Sequence, residues 1–143
     1  MRVDFYQLGT EKSEAALPAL AARCLGAGER LLVVSGDEDQ RGRIGRALWE
    51  VPERFLANGA VGGAHDKRQP ILISDKVVPA NGARFVAFAD GMWRDAEGFA
   101  RAFLLFDEAT LASARQCWRM LGKRDGVDRH FWRREGGRWV EGP

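Results

Sequence analysis

Two cysteines and two histidines in 143 residues leave this chain short of the side chains that staple a fold or hold a metal. Cys24 and Cys117 lie far apart and neither belongs to a CxxC pair, which argues against a disulfide framework or a zinc knuckle and for reduced core thiols. His65 and His130 have no second His, Cys or carboxylate at a ligand spacing, so no metal is expected. No G-x-G-x-x-G and no glycine loop ending in Lys-Ser/Thr is present. The turn Ser35-Gly36-Asp37-Glu38 stands where a doubly wound fold would bind phosphate, but Asp37, Glu38 and Asp39 would repel an anion. Ser35 and Ser74 end apolar runs without a nucleophile-elbow context. No catalytic residue and no cofactor is therefore expected, and a binding module fits better than an enzyme. No apolar run approaches the roughly 18 residues of a membrane span, and MRVDFYQLG lacks the apolar stretch of a signal peptide. The expected location is cytoplasmic.

What is present is an alternation of strand-like and helix-like stretches, without repeats or low-complexity linkers, over a length that suits one domain spanning residues 1–143. Val3 to Leu8 reads as a strand. A helix follows over Ser13 to Ala27, with Leu17, Leu20, Ala21, Cys24 and Leu25 on one side, Gly26 and Gly28 at its end, and Pro18 expected to kink its first turns or delay its start. Arg30 to Ser35, RLLVVS, holds a short continuous apolar run typical of a buried parallel strand. Asp37 and Gln40 have capping-box spacing before a helix that runs to Trp49, with Ile44, Ala47 and Leu48 inward. Pro52 to Gln69 shows no sustained period and reads as a long surface loop. Residues 69–74, Ala83 to Ala89 and Ala102 to Phe106 read as further strands. Asp107 or Thr110 caps a last helix, with Leu111, Ala114, Trp118 and Leu121 on one stripe and an end near Gly122. Asp128 to Arg134 and Gly137 to Glu141 form a hairpin about Gly136-Gly137. The fold class is α/β: a three-layer α/β/α domain whose mostly parallel central sheet ends in a C-terminal β-hairpin.

Charge is unevenly placed. Eight of the 22 Lys and Arg residues lie between Ala112 and Trp139 against three of the 20 acids, leaving that segment at +5 and the remainder at −3. Three of the five tryptophans fall in the same segment. Trp118, Phe131, Trp132 and Trp139 interleave with Arg115, Arg119, Arg133, Arg134 and Arg138, an assortment suited to a carboxylate, a phosphate or stacked bases. A core of aromatics fringed by solvated arginines is the plainer alternative. Arg115 sits among core-facing neighbours, where a partly buried guanidinium would require a partner.

Four segments in order, DFYQLG, ALWEVPERFLANG, PILIS and ARQCWRMLGKRDGVDRHFWRREGGRWVEG, resemble the chi subunit of bacterial DNA polymerase III over essentially the whole chain. The spacings around Trp118 and in FWRREGGRW are similar to those of alphaproteobacterial members. The resemblance implies a noncatalytic accessory subunit of the clamp loader, associated with the replisome and nucleoid, which tethers the replicase to single-stranded DNA-binding protein. In that family the partner's acidic tail, ending in a phenylalanine carboxylate, docks beside the last helix; the basic position there matches Arg115 and the aromatic position one turn on matches Trp118. Three-residue spacing makes the two helix neighbours, so Arg115 can take the carboxylate while Trp118 walls a pocket for the ring. Arg119 and Lys123 can draw in the acidic residues upstream. The family's second surface, where a psi subunit or a helicase docks through a Trp and a Phe, is matched in residue type by Trp49 and Phe55. The segment PERFLANG departs there from the usual Pro-His pair, and both aromatics can instead seal helix against sheet. Psi is not generally recognisable in the bacterial group resembled. Two other functions remain open to these residues: direct binding of single-stranded nucleic acid through the basic aromatic end, and a nucleotide-binding α/β enzyme.

Overall fold

A computed structural model of the chain describes residues 1–51, 56–135 and 137–142. Its elements in chain order are β1 (Arg2–Gln7), α1 (Ser13–Gly26), β2 (Leu31–Val34), α2 (Glu38–Trp49), β3 (Asn58–Ala60), β4 (Ile71–Ser74), β5 (Phe85–Phe88), β6 (Arg101–Phe106), α3 (Leu111–Gly122), β7 (Asp128–Glu135) and β8 (Arg138–Glu141). The strands form one sheet in the order β3-β4-β2-β5-β6-β1-β7-β8. Every pairing is parallel except the closing β7–β8 hairpin.

Both faces of this sheet are covered, which is why its central strands read as continuous apolar runs. Alternate residues go to opposite layers. Leu31, Val33, Ile71, Ile73, Phe103 and Leu105 belong to the layer of α1 and α2, while Val3, Phe5, Leu32, Val34, Leu104 and Phe106 belong to the layer that contains α3. On that face α3 is the one helix among the described residues. The rest of that face, over β2 and β5, is closed by Val77, Ala83, Trp93, Ala96 and Phe99 from the two connections flanking β5. Cys24 and Cys117 are buried free thiols in the two layers. Burial pushes their thiols up to about 11 and about 12 respectively. No helix among the described residues is long and apolar enough to cross a membrane.

Several sequence expectations are corrected. The stretch read as uninterrupted loop contains β3, a three-residue edge strand parallel to β4, and one 3-10 turn at Asp66–Arg68. An edge strand this short is held by ladder bonds to a single neighbour and needs no side-chain period. Pro18 does not delay α1, which starts at Ser13 with Lys12 as its N-cap. The proposed capping box at α2 is half formed. The Asp37 side chain accepts from the backbone N–H groups of Asp39 and Gln40, but Gln40 turns away and donates to the Ala89 carbonyl. At α3 Thr110 occupies the N-cap position without a side-chain bond to a helix N–H, and Asp107 Oδ1 accepts from the Thr110 N–H. The strand expected over Ala83 to Ala89 is trimmed to Phe85–Phe88.

Candidate functional site

Strand alternation divides the basic aromatic end that the sequence presented as one surface. On β7, Arg129 and Phe131 face α3, whereas Trp132 and Arg134 face the other layer. Trp132 and Trp139 pack with Tyr6, their ring centroids 6.2 and 5.0 Å away, and the Arg134 guanidinium lies 4.5 Å over the Trp139 ring. Arg134 also reaches Glu11 at 2.8 Å, tying the hairpin to the connection after β1. Arg133 is paired with Glu135 at 2.9 Å. These aromatics and two of the arginines are thus engaged within the fold.

Trp118 and Phe131 remain on the α3 side, where they help line a cavity of about 250 Å³ with Phe5, Gln7, Phe106, Leu111, Ala114 and Arg115. Parallel pairing of β6, β1 and β7 sets Phe106, Gln7 and Phe131 at its base, and α3 forms its wall. Phe5 meets Trp118 edge-on at 5.1 Å between centroids. Trp118 is therefore both core and pocket wall. Arg129 fixes it from behind: its guanidinium sits 4.3 Å over the indole, and Nη1 donates to the Trp118 carbonyl at 2.7 Å. Gly122 makes room for that guanidinium, since a Cβ there would come within 2.7 Å of Arg129 Nη1.

Arg115 corrects an expectation. It is exposed on the cavity rim and has no hydrogen-bond or ion-pair partner among the described residues. A guanidinium left in water above an apolar slot needs no internal partner, so its donors are available to a bidentate oxyanion ligand. Arg119, further along α3, and Lys123, its C-cap, are exposed and do not line the cavity. Trp49 ends α2 with 52% of its surface exposed, and Phe55 lies outside the described residues.

The sequence did not single out Phe5, Gln7, Phe106 and Arg129 for this site. Phe5 and Gln7 share one face of β1 by simple alternation, but which face meets α3 depends on the helix crossing over the sheet. It also missed Asp4. This carboxylate has 0% exposure and accepts from Arg101 Nε at 2.7 Å, Arg2 Nη2 at 3.1 Å and Trp132 Nε1 at 3.0 Å. Burial alone would raise its pKa, but the donors from Arg101, Arg2 and Trp132 outweigh that and hold it below the usual carboxylate range.

A larger, polar cleft of about 390 Å³ lies at the C-terminal ends of the strands, between the β1–α1 connection and α2. Much of its polar lining is turned inward on itself. Arg43 pairs with Glu14 at 2.7 Å, Ser13 Oγ and Gln40 Nε2 donate to the Ala89 carbonyl, and Asp90 is held by Arg94 at 2.7 Å. Burial alone would raise the Asp90 pKa, but the Arg94 guanidinium and the N–H groups of Gly36 and Met92 outweigh that and hold it below its ordinary value. Ser35 donates to Gln40 rather than facing a base. These polar residues of the cleft pair with one another. His130 lies on β7 between Glu141, at 2.6 Å, and Asp128, at 3.0 Å, and no group of three metal-ligating side chains forms among the described residues.

Comparison with protein families matches residues 1–130 to the model of the DNA polymerase III chi subunit, HolC. No curated protein matches the chain.

Proposed function

The chain belongs to the DNA polymerase III chi subunit family, and from that premise we propose that it is a noncatalytic accessory subunit, docking the replicase on the acidic, phenylalanine-ended tail of single-stranded DNA-binding protein. The observation that carries this reading is the apolar cavity of about 250 Å³ with the unpaired Arg115 guanidinium on its rim. A terminal phenylalanine presents one aromatic ring and one carboxylate a few ångströms apart. Trp118, Phe5, Phe106 and Phe131 suit the ring, and Arg115 suits the carboxylate. Arg119 and Lys123, exposed beyond the rim, supply positive potential for the acidic residues that precede the terminus, a contribution that weakens as salt rises. In this reading the clamp loader is the larger assembly being tethered, the setting is the cytoplasmic replisome, and Trp49 is the described part of a second contact, to a psi subunit or a helicase.

Calorimetric titration with the tail peptide tests the reading. Binding is expected in the micromolar range, about −8 kcal/mol. Arg115→Ala should weaken it by roughly tenfold to a hundredfold, the value of a charge-assisted pair at about 1.5–3 kcal/mol. A peptide lacking the terminal Phe should not bind. Full affinity for the truncated peptide, or an unaffected Arg115→Ala variant, overturns the assignment.

A further inference from the structure

The sheet brings together a second cationic surface that no segment of the sequence displays. Four arginines stand at the start of four adjacent strands: Arg30 immediately before β2, Arg84 immediately before β5, Arg101 opening β6 and Arg2 opening β1. The register sets Leu31 opposite Phe85, Phe85 opposite Arg101 and Arg101 opposite Arg2, so Arg30 and Arg84 stand one residue before the level of Arg101 and Arg2 at the same end of the sheet. Neighbouring strands are about 4.8 Å apart, so the row extends over roughly 15 Å along one edge of the sheet. Arg23, exposed near the C-terminal end of α1 and without an ion-pair partner among the described residues, lies beside it. Two acids oppose these five cations: the buried Asp4, shared by Arg2 and Arg101, and Glu29, paired with Arg84 at 3.0 Å. Toward β7 the edge becomes acidic at Asp128, which sets the end of the track.

We propose that this edge binds the backbone of single-stranded DNA, with one nucleotide seated in the cleft of about 320 Å³ formed by Arg2, Arg23, Arg101, Tyr6, Phe85 and Trp132. A row of guanidiniums over several strand spacings matches a linear polyanion better than a compact one. The ring faces within the cleft also favour a base over an apolar peptide side chain. Arg101 covers them, lying 4.7 Å over Phe103 and 5.9 Å over Phe85, so the surface presented is a guanidinium plane, which stacks on nucleobases. Asp4 holds Arg2 and Arg101 in place by accepting from Nε and Nη2 of Arg2 and from Nε of Arg101, which leaves Nη1 of Arg2 and both Nη groups of Arg101 for phosphate. The tail cavity lies at the opposite end of the strands, beside Gln7 and Phe106, about 17 Å along β1 from Arg2. Tail and DNA can therefore be held together, and the proposal does not rest on tail binding.

Fluorescence anisotropy of the full chain with a labelled oligothymidylate of about 20 nucleotides, at about 50 mM salt and above, tests it. About four phosphate contacts give a log–log salt slope of roughly −3, and removing two lowers it to roughly −1.5. Arg23→Glu with Arg84→Glu, both at exposed positions, should cut affinity by about tenfold or more and flatten the slope in that way, while tail-peptide binding is unchanged. The milder pair Arg23→Gln with Arg84→Gln gives the same slope change should the reversed charges impair folding, which melting curves report. No binding at low salt, an affinity indifferent to these variants, or a loss produced instead by Arg119→Glu with Lys123→Glu overturns the proposal.

Discussion

Replacing Asp4 with Asn removes one charge and keeps the shape. In the native protein this carboxylate has 0% exposure, while its partners Arg2 and Arg101 are 39% and 28% exposed. Breaking a fully buried pair costs about 3–5 kcal/mol, because the remaining charge is stranded. Here both stranded guanidiniums can turn to water and Asn still offers one acceptor, so the expected loss falls to about 2–3 kcal/mol. For a domain of this size that is a fall in Tm of roughly 6–12 °C. The pH dependence gives an independent signature. Asp4 is held below the usual carboxylate range, so its stabilisation is present above the unfolded value of about 3.9 and is lost as pH falls through the folded value. The gap between wild type and Asp4→Asn, measured by calorimetric or circular-dichroism melting, should be constant from about pH 7 to pH 5 and narrow below about pH 4. A gap under about 0.5 kcal/mol at neutral pH, or one that does not change in acid, would refute the account of Asp4 as a charged anchor.

Two further outcomes follow from the geometry near the cavity and the hairpin. Arg129→Ala removes the cation over Trp118 and the bond to its carbonyl, so stability should drop by about 1–2 kcal/mol and the tail peptide should bind more weakly; unchanged melting together with unchanged peptide affinity sinks the positioning role. His130 is raised by its bonds to Glu141 and Asp128 against a smaller desolvation effect, so its contribution to hairpin stability is full below about pH 6.5 and fades as pH rises through the higher folded value. Imidazole NMR should show a midpoint above 6.5, and His130→Gln should flatten the melting profile between about pH 6 and pH 8; a midpoint at or below 6.5 contradicts this.

Strand identity was legible wherever burial on both faces imposes an apolar run, as in Leu31–Val34 and Ile71–Ser74. It was not legible at Asn58–Ala60, whose place depends on the exposed edge of β4 and not on its own side chains. The Arg115 and Trp118 pair could be read from helical spacing and family resemblance, because α3 carries both. The remainder of the cavity comes from β1, β6 and β7, and no local pattern says that these three strands lie side by side.

By itself the sequence determined the α/β alternation, the chi family resemblance and the concentration of cations near the C-terminus, since each is a local property of residue order. Only the tertiary structure decided which cations share a surface. Strand alternation sent Phe131 and Trp132 to opposite faces of one strand, and parallel pairing drew Arg2, Arg30, Arg84 and Arg101 onto one edge from positions far apart in the chain. Segment charge counts neighbours along the chain, whereas binding surfaces are made of neighbours across the sheet.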